Sequence, residues 1–269
     1  MNKLLIAVIA LSLTSCSLFK DEVKKPQGKT AYSHGLFIGW GRVWTWHFLD
    51  PEALASALQR NKLNLTIVEL GGDFDDVYFN TSLEKLPAFL AAMKKHNIWT
   101  EVVISNSNAP GITKSEAWYR GYIDKVHAIT EASGAHVLIN PITEPGNFKD
   151  GNRASIRKME NIIEYAYSKW PSNIMIAEQR REPYRKFLSR AAIQEYHHCR
   201  YPDSRTMQTG VMNSFDCSPL LNPAPETLYE QTKLAIKKKA HLIIYRGHKT
   251  DASIEEARMA YMKRAIEES

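Results

Sequence analysis

The sequence predicts an α/β fold, a single-domain (β/α)8 barrel (TIM barrel), from three observations. Short β-rich apolar runs alternate with longer amphipathic stretches, the starts of successive runs lie 27 to 38 residues apart, and the pattern fills the chain beyond residue 33. Each interval suits one strand followed by one helix. An open doubly wound sheet is the alternative, but no glycine-rich phosphate loop follows any of the runs.

Seven runs are predicted strands, and most are continuously apolar, as strands buried on both faces should be. An eighth strand is predicted at 194–199, within a long irregular stretch between Glu178 and Thr206. The seven runs are 36–40, 63–70, 98–104, 136–142, 174–177, 206–212 and 241–245.

The intervening helices carry their own start and stop signals. Asp50 followed by Pro51 is typical of an N-cap with proline at the first helical position. Thr-Lys-Ser-Glu at 113–116 resembles a capping box. Apolar residues at helical spacing follow each signal, and Trp170-Pro171 predicts the end of the fourth helix.

The composition excludes several classes of protein. Hydrophobic residues make up 44% of the 269 residues and charged residues 24%, which argues against a disordered chain. The net charge of +6 is mild and spread along the chain, so we expect no nucleic-acid partner. Three cysteines are too few to build the fold from disulfides.

The first residues are typical of a targeting signal. One lysine precedes an apolar run of ten residues at 4–13, which is too short to span a bilayer. The run ends in Leu-Thr-Ser-Cys at 13–16, which resembles the lipobox of bacterial lipoproteins. The resemblance implies cleavage before Cys16 and lipid attachment to it, and Ser17 resembles the class sorted to the outer membrane.

These features predict three segments and a location. Residues 1–15 are the predicted signal peptide, 16–33 a polar tether, and 34–269 the barrel domain. We expect the mature protein to be lipid-anchored in the cell envelope, on the periplasmic or the outer surface face. In that oxidising compartment Cys199 and Cys217 are predicted disulfide partners, with two buried free thiols as the alternative.

The most informative segment follows the fourth predicted strand. Glu144 stands there with Pro145 after it, and a carboxylic acid at the mouth of a barrel suits general acid catalysis. Glu144-Pro145 at this strand resembles the Asn-Glu-Pro motif of the clan A glycoside hydrolases, (β/α)8 enzymes such as cellulases and mannanases. The resemblance implies that Glu144 is the acid/base residue, although Thr143 replaces the motif's asparagine.

Glycoside hydrolysis needs a second carboxylate. In clan A it is a glutamate that ends the seventh strand, and this sequence has no glutamate there. Asp216 after the seventh predicted strand and Glu178 after the fifth are the candidates, and the sequence does not choose between them. Either acid could instead form a structural salt bridge, and Glu178 in particular could pair with Arg180 or Arg181.

Other residues at predicted strand ends are candidates for substrate binding. Three of the six tryptophans, Trp40, Trp44 and Trp46, lie within seven residues, and their flat faces suit stacking on sugar rings. Core packing is the alternative role for each. The remaining candidates for substrate contact are Asn140, His198, Tyr201, Arg246 and His248.

No cofactor and no metal site are predicted. The sequence lacks His-x-His, His-Glu-x-x-His and Cys-x-x-Cys patterns. Asp73, Asp75 and Asp76 could hold calcium, but the rest of an EF-hand loop is missing, so a solvated acidic rim is the preferred interpretation.

Two hypotheses about function follow. The first is a lipid-anchored glycoside hydrolase that cleaves O-glycosidic bonds of a poly- or oligosaccharide by two-carboxylate catalysis. The second is a barrel of the same descent that no longer catalyses and binds carbohydrate or a protein at the cell envelope. The absence of a glutamate on the seventh strand favours the second hypothesis.

Overall fold

A computed structural model describes residues 35–42, 46, 49–71, 76–105, 114–143, 153–178, 187, 190–198, 204–205, 207, 209–215, 224–246 and 252–269. The strands are β1 (Ile38–Arg42), β2 (Leu65–Glu69), β3 (Trp99–Val103), β4 (Val137–Asn140), β5 (Met175–Glu178), β6 (Ile193–His198), β7 (Met212–Phe215) and β8 (His241–Arg246). The helices in these ranges are α1 (Pro51–Arg60), α2 (Asp76–Lys95), α3 (Glu116–Ser133), α4 (Arg153–Lys169), α5 (Pro225–Lys238) and α6 (Ala252–Glu267).

The eight strands form one parallel sheet in the order β4-β3-β2-β1-β8-β7-β6-β5. Its two ends meet, because an isolated parallel bridge pairs Ile139 on β4 with Ile174 beside β5. At the same place the Ile139 N–H donates to the Asn173 carbonyl at 2.8 Å. The curled parallel sheet with its helices confirms the predicted α/β barrel fold.

Alternation along the strands divides the buried side chains into two cores. The outer core lies between sheet and helices and includes Trp40, Val68 and Ile244. The inner core fills the barrel, and β1 contributes only glycines to it: a Cβ at Gly41 would overlap the Ile67 side chain. The inner core consists of Phe37, Leu65, Ile67, Val103, Leu138, Ala192, Ile193, Met212 and Ile243.

Aromatic rings close the N-terminal end of the barrel. The Phe37 ring packs edge-on against Trp99 and tilted against His241, with 5.2 Å between ring centroids in each case. The Phe37 N–H donates to His241 Nδ1 at 2.9 Å, and burial lowers the pKa of His241 to about 4. His241 is therefore a neutral acceptor at neutral pH, with its proton on Nε2.

Asn64 fastens the same end of the barrel. Its side-chain oxygen accepts from the Ile38 N–H at 2.9 Å, and its amide donates to the Leu36 carbonyl at 2.8 Å. One side chain thus joins the start of β1 to the chain that enters β2, and both polar atoms of the amide have partners.

The predicted N-cap of α1 is confirmed, whereas the N-cap of α3 lies two residues later than predicted. Asp50 caps α1 by accepting from the Glu52 and Ala53 N–H groups at 2.9 and 3.1 Å. The cap of α3 is Ser115, whose hydroxyl accepts from the Trp118 N–H at 3.1 Å, so the predicted capping box at 113–116 begins two residues too early. The predicted stop is confirmed, because α4 ends at Lys169.

The predicted eighth strand is confirmed as β6, and the predicted strand at 206–212 is wrong in position. Residues 209–210 form a turn, with Gly210 in the left-handed region at φ +73°. The Gly210 N–H donates to the Lys239 carbonyl at 3.1 Å, and β7 begins at Met212. The β-rich composition of this stretch concealed the turn, which the glycine alone could mark.

The predicted signal peptide and the whole predicted tether, Cys16 included, lie outside the described residues. None of the described helices combines the length and the hydropathy that crossing a bilayer requires. Cys199 and Cys217 also lie outside them, so lipid attachment and the disulfide stay predictions.

Candidate active site

The acids predicted for catalysis follow the carboxyl ends of three strands. Glu178 is the last residue of β5 and pairs with Tyr196 of β6. Asp216 follows the last residue of β7, and Glu144 follows Thr143. Glu144, Asp216 and the Glu178 side chain lie outside the described part of the structure, so their mutual geometry stays a prediction.

The chain between β4 and Glu144 is held against the chain that leaves β3. The Ile104 N–H donates to the Asn140 carbonyl, and the Thr143 N–H donates to the Ser105 carbonyl, both at 2.9 Å. Thr143 and Ser105 are buried. The parallel pairing thus continues past β4, and the chain reaches position 144 from an ordered, buried segment at the carboxyl end of the barrel.

Asn140 is the centre of a polar cluster inside the barrel. Its Nδ2 donates to Glu101 Oε1 on β3 and to Glu195 Oε2 on β6, both at 3.1 Å. All three side chains are fully buried. Because the two carboxylate oxygens share one nitrogen, they lie within about 6 Å of each other. We call these three residues the interior carboxylate cluster.

This cluster corrects the prediction for Asn140. The sequence assigned it to substrate contact, whereas its amide already serves two protein carboxylates across the barrel. Among the residues that the structure describes, the buried Asn140 Oδ1 atom has no hydrogen-bond partner. Glu101 and Glu195 each have further interactions.

Glu69 brings a third acid to the inner face of the sheet. It ends β2, pairs in register with Val103 of the inner core, and is buried. Its carbonyl accepts from the Trp46 indole N–H at 2.9 Å. Burial and the charge of Glu69 together raise the pKa of Tyr78 above its usual value.

The predicted tryptophan platform is wrong for two of its three members. Trp40 and Trp46 are fully buried in the outer core, and Trp46 packs edge-on against Phe89 of α2 at 5.4 Å. Trp40 pairs in register with Ile244, so alternation places it on the helix side of β1. Their rings therefore stabilise the sheet–helix packing and offer no face to a sugar.

The other predicted contacts remain untested. His198 and Arg246 are the last residues of β6 and β8, at the expected end of the barrel, but their side chains are outside the described part. Trp44, Tyr201 and His248 lie outside it entirely.

Within the described ranges, no three or more His, Cys, Asp or Glu side chains converge as a metal site would need. Asp76 is the first residue of α2, while Asp73 and Asp75 fall outside those ranges. The chemistry that the described residues support is that of carboxylates and amides, namely proton transfer and hydrogen bonding.

Sequence reasoning missed Glu101, Glu195 and Glu69. A signal was present for the first two, because each is an acid at an inward register position within a β-rich run. An ionisable residue in a strand buried on both faces requires a hydrogen-bond partner. For Glu101 and Glu195 a partner is Asn140, which lies 39 and 55 residues away from them in the chain.

Three solved structures with a similar fold are a mannanase, an endoxylanase and an endoglucanase. The chain aligns with a β-mannanase from the blue mussel Mytilus edulis at a TM-score of 0.57 and 12% identity, over 85% of this chain and 92% of that one. A GH30 endoxylanase from Clostridium papyrosolvens aligns at a TM-score of 0.59 and 9% identity, over 86% and 71%.

A third similar structure contains a bound sugar. The catalytic domain of a Thermobifida fusca endoglucanase, in complex with cellotetraose, aligns at a TM-score of 0.59 and 12% identity, over 81% of this chain and 80% of that one. At these identities the likeness establishes the (β/α)8 barrel fold alone. No protein-family model and no curated protein sequence matches the chain.

Proposed function

We propose that this protein hydrolyses O-glycosidic bonds of a poly- or oligosaccharide, with Glu144 as the general acid/base residue. The observation that carries the proposal is the interior carboxylate cluster of Glu101, Asn140 and Glu195 directly below the carboxyl end of β4. That end of a (β/α)8 barrel is where enzymes of this fold carry out their chemistry.

The interior carboxylate cluster lowers the stability of the folded barrel, and this cost argues that the cluster has a function. Barrel interiors are filled mainly by branched apolar side chains, and burying a carboxylate costs free energy unless its hydrogen bonds are satisfied. Apolar residues would pack the barrel at a lower cost in free energy than two carboxylates and an amide do. The three polar side chains therefore indicate a role at the adjoining site. The segment from Asn140 to Thr143 connects them to Glu144.

In the proposed reaction, the Glu144 carboxyl group donates a proton to the glycosidic oxygen as the bond to the anomeric carbon breaks. A second carboxylate, Glu178 or Asp216, either attacks the anomeric carbon or removes a proton from an attacking water. A carboxyl separation of about 5–5.5 Å gives retention, and about 6.5–9.5 Å gives inversion.

The similar structures guide the choice of substrates to test. They are described as a mannanase, an endoxylanase and an endoglucanase, and one holds cellotetraose. We therefore propose a mannan, xylan or glucan chain as the substrate class. We also propose, from the lipobox resemblance, that Cys16 carries a lipid and anchors the enzyme in the cell envelope.

The test is reducing-sugar release from mannan, xylan and cellulose oligosaccharides by the wild type and Glu144→Gln. Removal of a general acid should lower turnover about 10²–10⁴-fold, because proton transfer contributes that much to the rate. The matched control is Glu164→Gln, an exposed acid on α4 that pairs with Arg190 at 2.8 Å.

Glu164→Gln should keep wild-type turnover, and both variants should unfold at nearly the wild-type urea concentration. Unchanged turnover in Glu144→Gln refutes its role. Wild-type protein that binds these sugars without cleaving them refutes catalysis and supports the binding hypothesis.

A further inference from the structure

We propose that Asn140 is a positioning residue. Its two hydrogen bonds hold together the place where the barrel closes, and they thereby fix the distance between Glu144 and the second carboxylate. The inference rests on the proposed function for its catalytic consequence. It concerns the junction of β4 and β5, marked by the Ile139–Ile174 bridge, which we call the β4–β5 seam.

The seam is the weakest join of the sheet in the described part of the chain. On one side, β3 and β4 pair continuously from Thr100–Val137 to Val103–Asn140. The pairing and hydrogen bonds described across the seam are one isolated bridge, the Ile139 N–H bond to the Asn173 carbonyl, and an Asn173 amide bond to the Val137 carbonyl at 3.2 Å. All of them lie at or below the level of Ile139.

The Asn140 amide supplies a connection above that level. It passes over β5 to reach Glu195 on β6, and it also reaches back to Glu101 on β3. One nitrogen thereby ties the two sides of the seam together. Because all three side chains are fully buried, water does not compete for these bonds, and each keeps more of its strength.

The seam also separates the proposed catalytic groups. Glu144 follows Asn140 by four residues on the β4 side, whereas Glu178 ends β5 and Asp216 follows β7 on the other side. The carboxyl separation required for hydrolysis is thus measured across the seam. A misplacement of about 1 Å can reduce a rate about 10²-fold, so loosening the seam should lower kcat.

The experiment compares Asn140→Ala with Asn64→Ala. Asn64 is a matched control, since its amide also makes two hydrogen bonds, but at the N-terminal end of the barrel. Native-state hydrogen exchange should accelerate at least about tenfold at the Ile139 and Thr143 amides in Asn140→Ala, and stay unchanged there in Asn64→Ala.

Steady-state kinetics on the oligosaccharide that the wild type cleaves give the catalytic readout. In Asn140→Ala we expect kcat to fall about 10–100-fold with KM within about threefold, since substrate contacts are not removed. Asn64→Ala should retain both constants.

A second pair of variants tests the same bond from the other side. Glu195→Gln keeps an acceptor oxygen for the Asn140 amide and should preserve slow exchange at Ile139, whereas Glu195→Ala should accelerate it. This pair also replaces Asn140→Ala if that variant does not fold.

Unchanged exchange at Ile139 and Thr143 in Asn140→Ala and Glu195→Ala overturns the proposal whatever the activity. Accelerated exchange with unaltered kcat overturns the positioning role. A wild type without turnover on any glycan refutes the proposed function, and the exchange rates then still decide whether Asn140 fastens the seam.

Discussion

The two ends of the barrel interior are built in opposite ways. At the N-terminal end Phe37, Trp99 and a neutral His241 pack as rings, and the polar atoms that join them are paired backbone and side-chain groups. Toward the carboxyl end the interior holds Glu101 and Glu195, which share one buried amide.

The difference indicates a division of labour. An apolar, aromatic end gains free energy from every ring removed from water. A buried pair of carboxylates gains much less, because each loses its hydration and the two like charges repel each other. We infer that the N-terminal end stabilises the barrel and that the carboxyl end keeps its polar groups for the chemistry proposed above.

Of the changes at the two ends of the barrel, Phe37→Ala should lower the free energy of unfolding most. Phe37 is fully buried at the N-terminal end, and deletion of its ring should lower the free energy of unfolding by about 3–5 kcal/mol. Urea denaturation measures the loss, and kcat per folded molecule should stay at the wild-type value. A fall in kcat while the variant is fully folded would contradict the inference that the N-terminal end serves stability alone.

A slightly smaller loss in the free energy of unfolding should appear on acidification, because His241 is buried in its neutral form. Its pKa is about 4 in the folded protein against 6.5 for the free side chain, so the unfolded chain binds a proton that the folded protein refuses. The stabilisation is complete above pH 6.5 and is lost as the pH falls toward 4. The whole shift corresponds to about 3 kcal/mol.

The control for this prediction is His241→Asn. The asparagine oxygen can accept the Phe37 N–H as Nδ1 does, but it does not titrate. Urea unfolding at pH 7, 5.5 and 4 should therefore show a steeper loss in the wild type than in the variant. Parallel pH profiles of the two proteins would contradict a neutral, buried His241.

The fold was accessible from sequence because each βα unit carries local signals. Asp50 caps α1 as expected, and the eighth strand predicted at 194–199 forms as β6, Ile193–His198. The seventh strand was misplaced because 206–212 reads as one β-rich run, while the left-handed backbone of Gly210 ends one segment and starts another. Periodicity reports which side chains are apolar, not where the chain turns.

The site was less accessible, and the tryptophans show why. Gly39 and Gly41 alternate with Trp40, so the sequence itself indicates that one face of β1 is crowded and that the tryptophan belongs to the other. Clustering of aromatic residues in sequence does not place them on one face. The partners of Glu101 and Glu195 depend on barrel closure, which no local pattern encodes.

The most direct test of the account is a crystal structure of Glu144→Gln with a bound oligosaccharide of the class that the wild type cleaves. We expect the side chain of residue 144 to lie within about 3 Å of a glycosidic oxygen, and the carboxyl group of Glu178 or Asp216 to lie between about 5 and 9.5 Å from that side chain. A side chain at 144 that points into bulk solvent, or no carboxyl group within about 10 Å of it, would contradict glycoside hydrolysis at this end of the barrel.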